Sequence, residues 1–238
     1  MKKATLILKV LLGLFIMSLF GSEFVLKNQY DKIDKTDPFW NYSKLARGTF
    51  HHLKLMGGNV TRIFFSPSPH ASVGVLNYWE GSAQGRVKTN ISDDTLFLHI
   101  DPKEETPGIR DWMKNHTLIA ITCPDLQSVN VFNTNLNIGK MKQKTLGITS
   151  AGRSRLEWES YTPDFDSINI HMRDSSDIII EMADEIKSTG TMNVKTLYAD
   201  VQGHSVLDVG HFQIQSLHQL IGDTAAILLS GYSLKKVK

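Results

Sequence analysis

Two pairs of aspartates are the residues of this chain whose spacing best suits chemistry. Asp164 and Asp166 are separated by one residue, and Asp174 and Asp177 by two. Closely spaced carboxylates can ligate Ca²⁺ or form the acidic cluster of a polysaccharide lyase, for which Arg173 would supply a positive charge. Such short side chains also hydrogen-bond their own backbone in turns. We favour the turn interpretation for both pairs.

The other reactive side chains give weaker signals. His51 and His52 are adjacent, and neighbouring residues of a strand point to opposite faces, so we expect no shared metal ion. The single cysteine, Cys123, lies in an apolar run before Pro124, which is typical of a buried and inert thiol. The sequence contains no phosphate-binding glycine loop, nucleophile elbow or paired-cysteine motif. We therefore predict no catalytic residue, cofactor or metal ligand, and a protein that is not an enzyme.

Length and charge restrict the class of protein further. The chain has 238 residues, which suits one globular domain with a short appendage. Its formal net charge is +2, spread along the sequence with no basic stripe. This distribution argues against nucleic acid as a partner.

Residues 1–26 have the pattern of a signal peptide or an N-terminal membrane anchor. Three lysines precede an apolar run over residues 10–20, the order found in export signals. The run is short for a membrane-spanning helix, which needs about 20 residues, although residues 24–26 could extend it. A cleaved signal and an anchor over residues 4–26 in the inner membrane both remain open. Either predicts an exported cell-envelope protein, on the periplasmic side or at the cell surface.

The remaining chain divides into a tether and a folded region. Residues 27–47 are polar and aperiodic, and Asp37-Pro38 would interrupt a helix there. From residue 48 to 238, short apolar segments alternate with Gly, Asn, Asp and Ser turns, which predicts an all-β domain.

A pattern that starts after Pro124 recurs to the C-terminus. Pairs of short strands return every 20 to 28 residues, with central apolar positions at Leu136, Leu156, Ile178, Val206 and Ile227. A period of this length is typical of stacked coils, since one coil cannot bury its own apolar face. We therefore predict a single-stranded right-handed parallel β-helix rather than a β-sandwich, whose antiparallel hairpins would follow at spacings of about 8 to 12 residues.

Several short motifs carry a family resemblance over residues 48–238. They are Phe50-x-x-Leu53-x-Leu55, Gly58-Asn59-Val60, Leu96-Phe97-Leu98-His99-Ile100 and the string from Ile121 to Val131, followed by the repeated strands. In these features the chain resembles the head-GIN domain family of bacterial cell-envelope proteins, also called "putative auto-transporter adhesins". The resemblance implies a β-helix and an envelope location, and it carries over no catalytic residue.

These observations lead to one main hypothesis and two alternatives. The main hypothesis is a non-enzymatic envelope protein, an adhesin or a module that binds glycan or protein. Its partners would be the membrane, through the N-terminal segment, and an envelope or host glycan or protein. The first alternative is a lyase-like β-helix enzyme that uses Asp174, Asp177 and Arg173. The second is a purely structural envelope component.

Overall fold

A computed structural model describes residues 2–35, 37–59, 61–77, 85–101, 117–139, 141, 143–160, 164–182, 193–210 and 212–234. The chain forms two compact units, Met1–Asn41 and Tyr42–Lys238. Helix α1 (Lys2–Tyr30) extends into the stretch 27–47, and the first strand of the second unit lies at the end of that stretch. The finer division at residues 26 and 47 stays a prediction.

The first unit contains the N-terminal apolar helix that the sequence predicts. Within α1, Leu6–Tyr30 is a 25-residue segment with a mean hydropathy of 1.9, long and apolar enough to cross a membrane. At about 1.5 Å per residue it exceeds the roughly 30 Å of a bilayer core. Its side chains are exposed along this whole length. Such a helix is compatible with a signal sequence as well as with an anchor.

The described part of the second unit contains seventeen strands and one short helix. In chain order they are β1 (Tyr42–Arg47), β2 (His52–Met56), β3 (Arg62–Pro67), β4 (Ser72–Leu76), β5 (Val87–Ser92), β6 (Thr95–Ile100), β7 (Thr117–Cys123), β8 (Ser128–Phe132), β9 (Asn135–Ile138), β10 (Thr145–Ala151), β11 (Arg155–Ser160), β12 (Asp164–Met172), β13 (Asp177–Met182), β14 (Asn193–Val201), β15 (Val206–Asp208), β16 (Gln213–Ile221), β17 (Ala226–Leu228) and α2 (Gly231–Leu234).

These strands form two sheets in a sandwich-like arrangement. The nine-stranded sheet has the order β1-β4-β7-β3-β9-β11-β13-β15-β17, and the eight-stranded sheet has the order β16-β14-β12-β10-β8-β2-β6-β5. The first sheet pairs β1 with β4 and β4 with β7 antiparallel, and the second pairs β5 with β6 antiparallel. The other pairings are parallel, so both sheets are mixed.

The prediction of a single-stranded parallel β-helix over residues 48–238 is therefore wrong. Strands of the first half reverse direction, and β3 lies between β7 and β9 instead of beside its neighbours in sequence. One local cause is the turn between β5 and β6, where Asp93 and Asp94 have φ values of 49° and 60°. Two successive positive φ values match a type I′ turn, which folds two strands into an antiparallel hairpin. The regular period after Pro124 does not extend back into this region.

Downstream of Pro124 the strands alternate between the two sheets in a regular register. Leu136, Leu156 and Ile178 lie side by side on neighbouring strands, and Ile227 continues the same row. The fourth member of the row is Leu207 rather than the expected Val206. The sequence period thus located the paired strands but missed the register at β15 by one residue.

The core lies between the sheets, and β4, β7 and β9 are buried on their other face as well. Alternate residues of β2, β6, β8 and β10 are buried, as expected for strands with one covered face. Trp158 is fully buried, and its ring meets those of Phe165 and Phe212 edge to face at 5.2 and 6.3 Å. This cluster fixes the spacing between the sheets in the C-terminal half.

Candidate functional site

Asp174, the central residue of the predicted acidic cluster, lies in the turn between β12 and β13. Its φ is 65°, its carboxylate accepts the N–H of Gly152 at 2.8 Å, and its carbonyl accepts the N–H of His204 at 2.6 Å. Asp174 therefore joins three successive turns of the chain. This geometry matches the turn role that we favour from the sequence.

The two other residues of that cluster have different surroundings. Arg173 donates to Asp200 of β14, with 2.6 Å between Nη2 and Oδ2. Asp177 opens β13 in the nine-stranded sheet, and its N–H donates to the carbonyl of Ser154 at 2.8 Å. The ion pair of Arg173 is thus made with a residue that sequence reasoning did not select.

Asp166 and the two adjacent histidines also lie close to groups of opposite charge. Asp166 lies 2.5 Å from the ammonium of Lys195, whose hydrogen bond lowers the pKa of the carboxyl, whereas the side chain of Asp164 lies outside the described residues. His51 and His52 both approach Asp94, at 2.8 and 3.9 Å, so the expectation that they point to opposite faces is wrong. Among the described residues, no group of three His, Cys, Asp or Glu side chains is arranged to hold a metal ion.

Cys123 is buried, as the sequence predicts. Burial raises the pKa of its thiol to about 12, and the thiol donates a hydrogen bond to the carbonyl of Asp125 at 3.2 Å. Because the thiolate is the reactive form, this environment makes the sulfur a poor nucleophile.

The best candidate for a ligand-binding surface is the outer face of the eight-stranded sheet. This face consists of the side chains that point away from the core. Eight strands about 4.8 Å apart give this face a width of roughly 34 Å. Its central row contains His218, Tyr198, Asn169, Gly147, Ser128, His52 and Thr95. The next row contains Leu220, Asp200, His171, Thr149, Asn130, Lys54 and Phe97.

Three large apolar side chains lie on the outer face of β8, β2 and β6, and we call them the aromatic patch after its two phenylalanines. They are Met56, Phe97 and Phe132, which are 41%, 38% and 43% exposed. Met56 and Phe132 are paired across β2 and β8, and the ammonium of Lys54 lies 5.7 Å from the centre of the Phe97 ring. A cation over a ring face is attracted by the ring quadrupole, so the patch combines apolar area with one positive charge.

At the edge of the face formed by β14 and β16, two stacked rings lie beside a network of charged side chains. Tyr198 and His218 lie on neighbouring strands, with 4.8 Å between centroids and 11° between ring planes. Next to them, Asp200 accepts hydrogen bonds from Arg173 at 2.6 Å and Gln202 at 2.9 Å, and His171 lies 3.6 Å away. The hydrogen bond from Arg173, followed by that from Gln202, holds the pKa of Asp200 well below its usual range.

Around Gly147 and Ser128, the outward positions of the central strands are polar and carry no carboxylate. Gly147 and Ser128 are small, while Thr149 and Asn130 are exposed and uncharged. No outward position of β10, β8, β2, β6 or β5 is an aspartate or a glutamate. A ligand lying across these strands would meet hydrogen-bonding groups and two cationic side chains, Lys54 and Lys88. The nearest described carboxylate is that of Asp94 in the β5–β6 turn, 3.9 Å from Nε2 of His52.

Sequence reasoning missed this face because its residues look like the ordinary solvent side of alternating strands. The available signal was the size of some outward residues, since Phe97, Phe132 and Tyr198 occupy positions where small polar side chains are usual. Several large apolar residues on the outer face of one sheet indicate a binding surface, whereas a single exposed leucine does not.

Comparisons with known proteins identify related folds but no family. No protein-family model matches the sequence, and no curated protein matches it. A "putative adhesin" from Parabacteroides distasonis is similar in structure, with a TM-score of 0.52 and 9% identity over 78% of this chain and 74% of that one. This likeness shows a shared fold and does not identify a ligand.

Two further solved structures have lower similarity. A "putative lipid binding protein" from P. distasonis has a TM-score of 0.49 and 12% identity, over 78% of this chain and 80% of that one. A "putative adhesin" from Bacteroides fragilis has a TM-score of 0.42 and 16% identity, over 78% and 94%. No family model supports the head-GIN resemblance.

Proposed function

We propose that this chain is a non-enzymatic, adhesin-like binding protein of the bacterial cell envelope. Its binding surface is the outer face of the eight-stranded sheet, and its ligand is a glycan or a protein. The observation that carries the proposal is the composition of this face, where the aromatic patch, small polar residues and cations occupy five adjacent strands whose outward positions carry no carboxylate.

Physical chemistry favours binding at such a face. The side chains of the aromatic patch are partly covered by their neighbours, so holding them in place for a ligand costs little further conformational entropy. Apolar side chains offer area to the C–H faces of sugars or to apolar side chains of a partner. Exposed Thr149, Asn130 and Asn169 supply hydrogen-bond donors and acceptors around that area.

The location in the envelope rests on the N-terminal helix and on the related fold. Helix α1 suits an export signal or an anchor, and the structural neighbour with a TM-score of 0.52 is described as a "putative adhesin". With an uncleaved helix, the membrane would be a permanent partner, and the folded unit would act outside the cytoplasm. Membership of the head-GIN domain family belongs to the same proposal.

The lyase-like alternative receives less support from the site. The carboxylate of Asp174 is occupied by a backbone N–H, and Arg173 is occupied by Asp200. A general base must reach the proton that it abstracts, and an acid cluster needs carboxylates that converge. The proposal therefore assigns these residues to the turns and surface of the fold.

The proposal is tested with the full chain in detergent against an array of envelope polysaccharides, host glycans and envelope proteins. A Phe97→Ala/Phe132→Ala double variant should weaken capture of the bound ligand about tenfold or more, because central aromatic anchors dominate binding energy. Ile179→Ala is the matched control, since Ile179 is an outward apolar residue of the other sheet. It should leave binding within about twofold.

Two results would contradict the proposal. One is equal binding by the double variant and the parent. The other is depolymerisation of an acidic polysaccharide that is lost in Asp174→Ala, which would restore the lyase alternative.

A further inference from the structure

Two lysines on the outer face of the eight-stranded sheet have no acidic partner. Lys54 and Lys88 are exposed, and neither makes an ion pair in the part of the chain that the structure describes. The ammonium of Lys54 lies 5.7 Å from the centre of the Phe97 ring. The carboxylate of Asp94, in the adjoining turn, lies 2.8 Å from Nδ1 of His51 instead. Both ammonium groups are therefore available to an anion that comes from outside the chain.

The outer face of the nine-stranded sheet has the opposite charge pattern. Glu157, Asp177 and Asp208 occupy outward positions of β11, β13 and β15. Arg155, on the same face, is paired with Glu157, with 2.7 Å between Nε and Oε1. A negatively charged ligand would be repelled by these carboxylates and attracted to the face that carries Lys54 and Lys88.

The register of the sheet sets the distance between the two lysines. Lys54 of β2 pairs with Phe97 of β6, whereas Lys88 of β5 pairs with His99, two residues further along β6. With about 4.8 Å between strands and 3.4 Å per residue, the Cα atoms of the two lysines lie about 12 Å apart. One exposed ion pair contributes little affinity. A chain that carries several anionic groups suits this separation, because one group can pair with each lysine.

Phe97 lies on the strand between these two charges. Its side chain is 38% exposed, and its neighbour across the strand pair, Asn90 of β5, is exposed as well. A sugar ring has C–H groups on its faces and hydroxyls around its rim. Placed over Phe97, it would bury its apolar face on the aromatic ring and hydrogen-bond to Asn90. A peptide of acidic residues would meet the two charges but leave Phe97 without an apolar partner.

We propose that the ligand of this face is a linear acidic polysaccharide that contains uronate sugars. Its carboxylates pair with Lys54 and Lys88, and a sugar ring between them stacks on Phe97. A uronate carries its carboxylate directly on the sugar ring, which matches an ammonium group that lies beside the aromatic ring. This inference rests on the proposed function, because it assigns the ligand class of the same surface.

Binding of the full chain, in a non-ionic detergent, to immobilised polygalacturonate, alginate and hyaluronate tests this ligand class. At least one of these polymers should be bound, and higher salt should weaken the binding because salt screens exposed charges. Methyl esterification removes the charge and keeps the sugar backbone, so it should weaken binding about fivefold or more.

Poly-glutamate is the matched acidic polymer without sugars. It should bind about fivefold more weakly than the best of the three polysaccharides, because it offers no sugar face to Phe97. The proposed ligand class is wrong if none of the three polysaccharides binds. It is also wrong if the methyl ester or poly-glutamate binds as tightly as the acidic polysaccharide.

Substitutions of the two lysines test where the carboxylates bind. Lys54→Gln/Lys88→Gln should weaken binding about fivefold or more, because two exposed ion pairs are lost. Lys44→Gln/Arg47→Gln removes the same charge from β1 of the other sheet and should leave binding within about twofold. Lys54→Arg/Lys88→Arg keeps both charges and should bind more tightly than the glutamine variant. A glutamine variant that binds like the parent overturns the inference.

The same measurements distinguish this inference from the proposed function. If Phe97→Ala/Phe132→Ala weakens binding and the glutamine variant of the lysines does not, the acidic ligand class is wrong and the binding face stands. If the phenylalanine variant binds like the parent, the proposed function is contradicted, and the assignment of a ligand class falls with it.

Discussion

Asp174 illustrates how one residue can suggest chemistry in the sequence and serve the backbone in the fold. Its φ of 65° lies in the left-handed region, and its carboxylate receives the N–H of Gly152. Aspartate tolerates this region better than most residues, because its short side chain hydrogen-bonds locally. Two separate terms, conformation and hydrogen bonding, therefore favour aspartate at this position.

Substitutions at Asp174 separate these two terms. Asp174→Ala loses the hydrogen bond and keeps an unfavourable φ, so it should lower the free energy of unfolding by about 1–3 kcal/mol. Asp174→Gly loses the hydrogen bond but accepts the φ, and it should cost less than the alanine variant. Urea unfolding measures both. Equal stability of the alanine variant and the parent would show that the turn does not depend on this residue.

The lowered pKa of Asp200 predicts that the stability of the folded unit depends on pH. Its pKa is lowered in the folded state by Arg173 and then by Gln202, so its stabilising effect is present above the unfolded pKa of about 4 and is lost as the pH falls through the folded value. Asp200→Asn should reduce the thermal midpoint at pH 7, by an amount equivalent to about 1 kcal/mol or less because the pair lies at the surface.

The result that tests the role of Asp200 is how the difference in thermal midpoint between the parent and Asp200→Asn changes with pH. The difference between parent and Asp200→Asn should narrow below about pH 4, where the unfolded carboxyl becomes protonated. Asp166→Asn is the control, since its more exposed pair with Lys195 should contribute less. A difference that stays constant from pH 7 to pH 2 would exclude the charge on Asp200 as the cause.

Among the elements, β8 is one of the two central strands of the eight-stranded sheet. It pairs in parallel with β10 on one side and with β2 on the other. Val131 points inward and is fully buried, whereas the preceding Asn130 points outward and is exposed. Adjacent residues of one strand therefore test its orientation directly.

The same change at these two positions should have very different effects. Val131→Asp buries a carboxylate without a partner and should cost about 3–5 kcal/mol or prevent folding. Asn130→Asp adds a charge on the outer face and should change stability by about 0.5 kcal/mol or less. Thermal unfolding followed by circular dichroism compares them. A Val131→Asp variant that melts with the parent would contradict the inward assignment.

The whole molecule consists of two units with different physical demands. From Leu6 to Tyr30, α1 exposes its apolar side chains, whereas the second unit has its own buried core. A domain with its own core is expected to fold without the segments outside it. The membrane would supply the environment that α1 needs.

This division predicts that a chain of residues 42–238 folds alone. Its thermal midpoint should lie within about 2 °C of that of the folded unit in the full chain, since no part of its core is removed. Full chain reconstituted in lipid should stay with the membrane after an alkaline wash, and the shorter chain should not. A large loss of stability in the shorter chain would show that the two units depend on each other.

The sequence by itself determined the properties that are encoded locally. The apolar composition of residues 10–20 predicts the N-terminal helix, and alternation such as Leu96, Leu98 and Ile100 predicts strands with one buried face. Closely spaced aspartates predict turns, which is confirmed for Asp174. The same prediction is wrong for Asp164 and Asp166, which lie in β12, and for Asp177, which begins β13. Each of these inferences needs only a few consecutive residues and their intrinsic preferences.

Only the tertiary structure decided how the strands are combined. Parallel and antiparallel partners bury the same alternating residues, so the sequence of β3 does not reveal that β7 and β9 flank it. The two-sheet arrangement, the ion pair between Arg173 and Asp200, and the outer face all depend on contacts between residues far apart in the chain. Such contacts reflect the free energy of packing the whole core, which a local pattern such as the repeat after Pro124 does not contain.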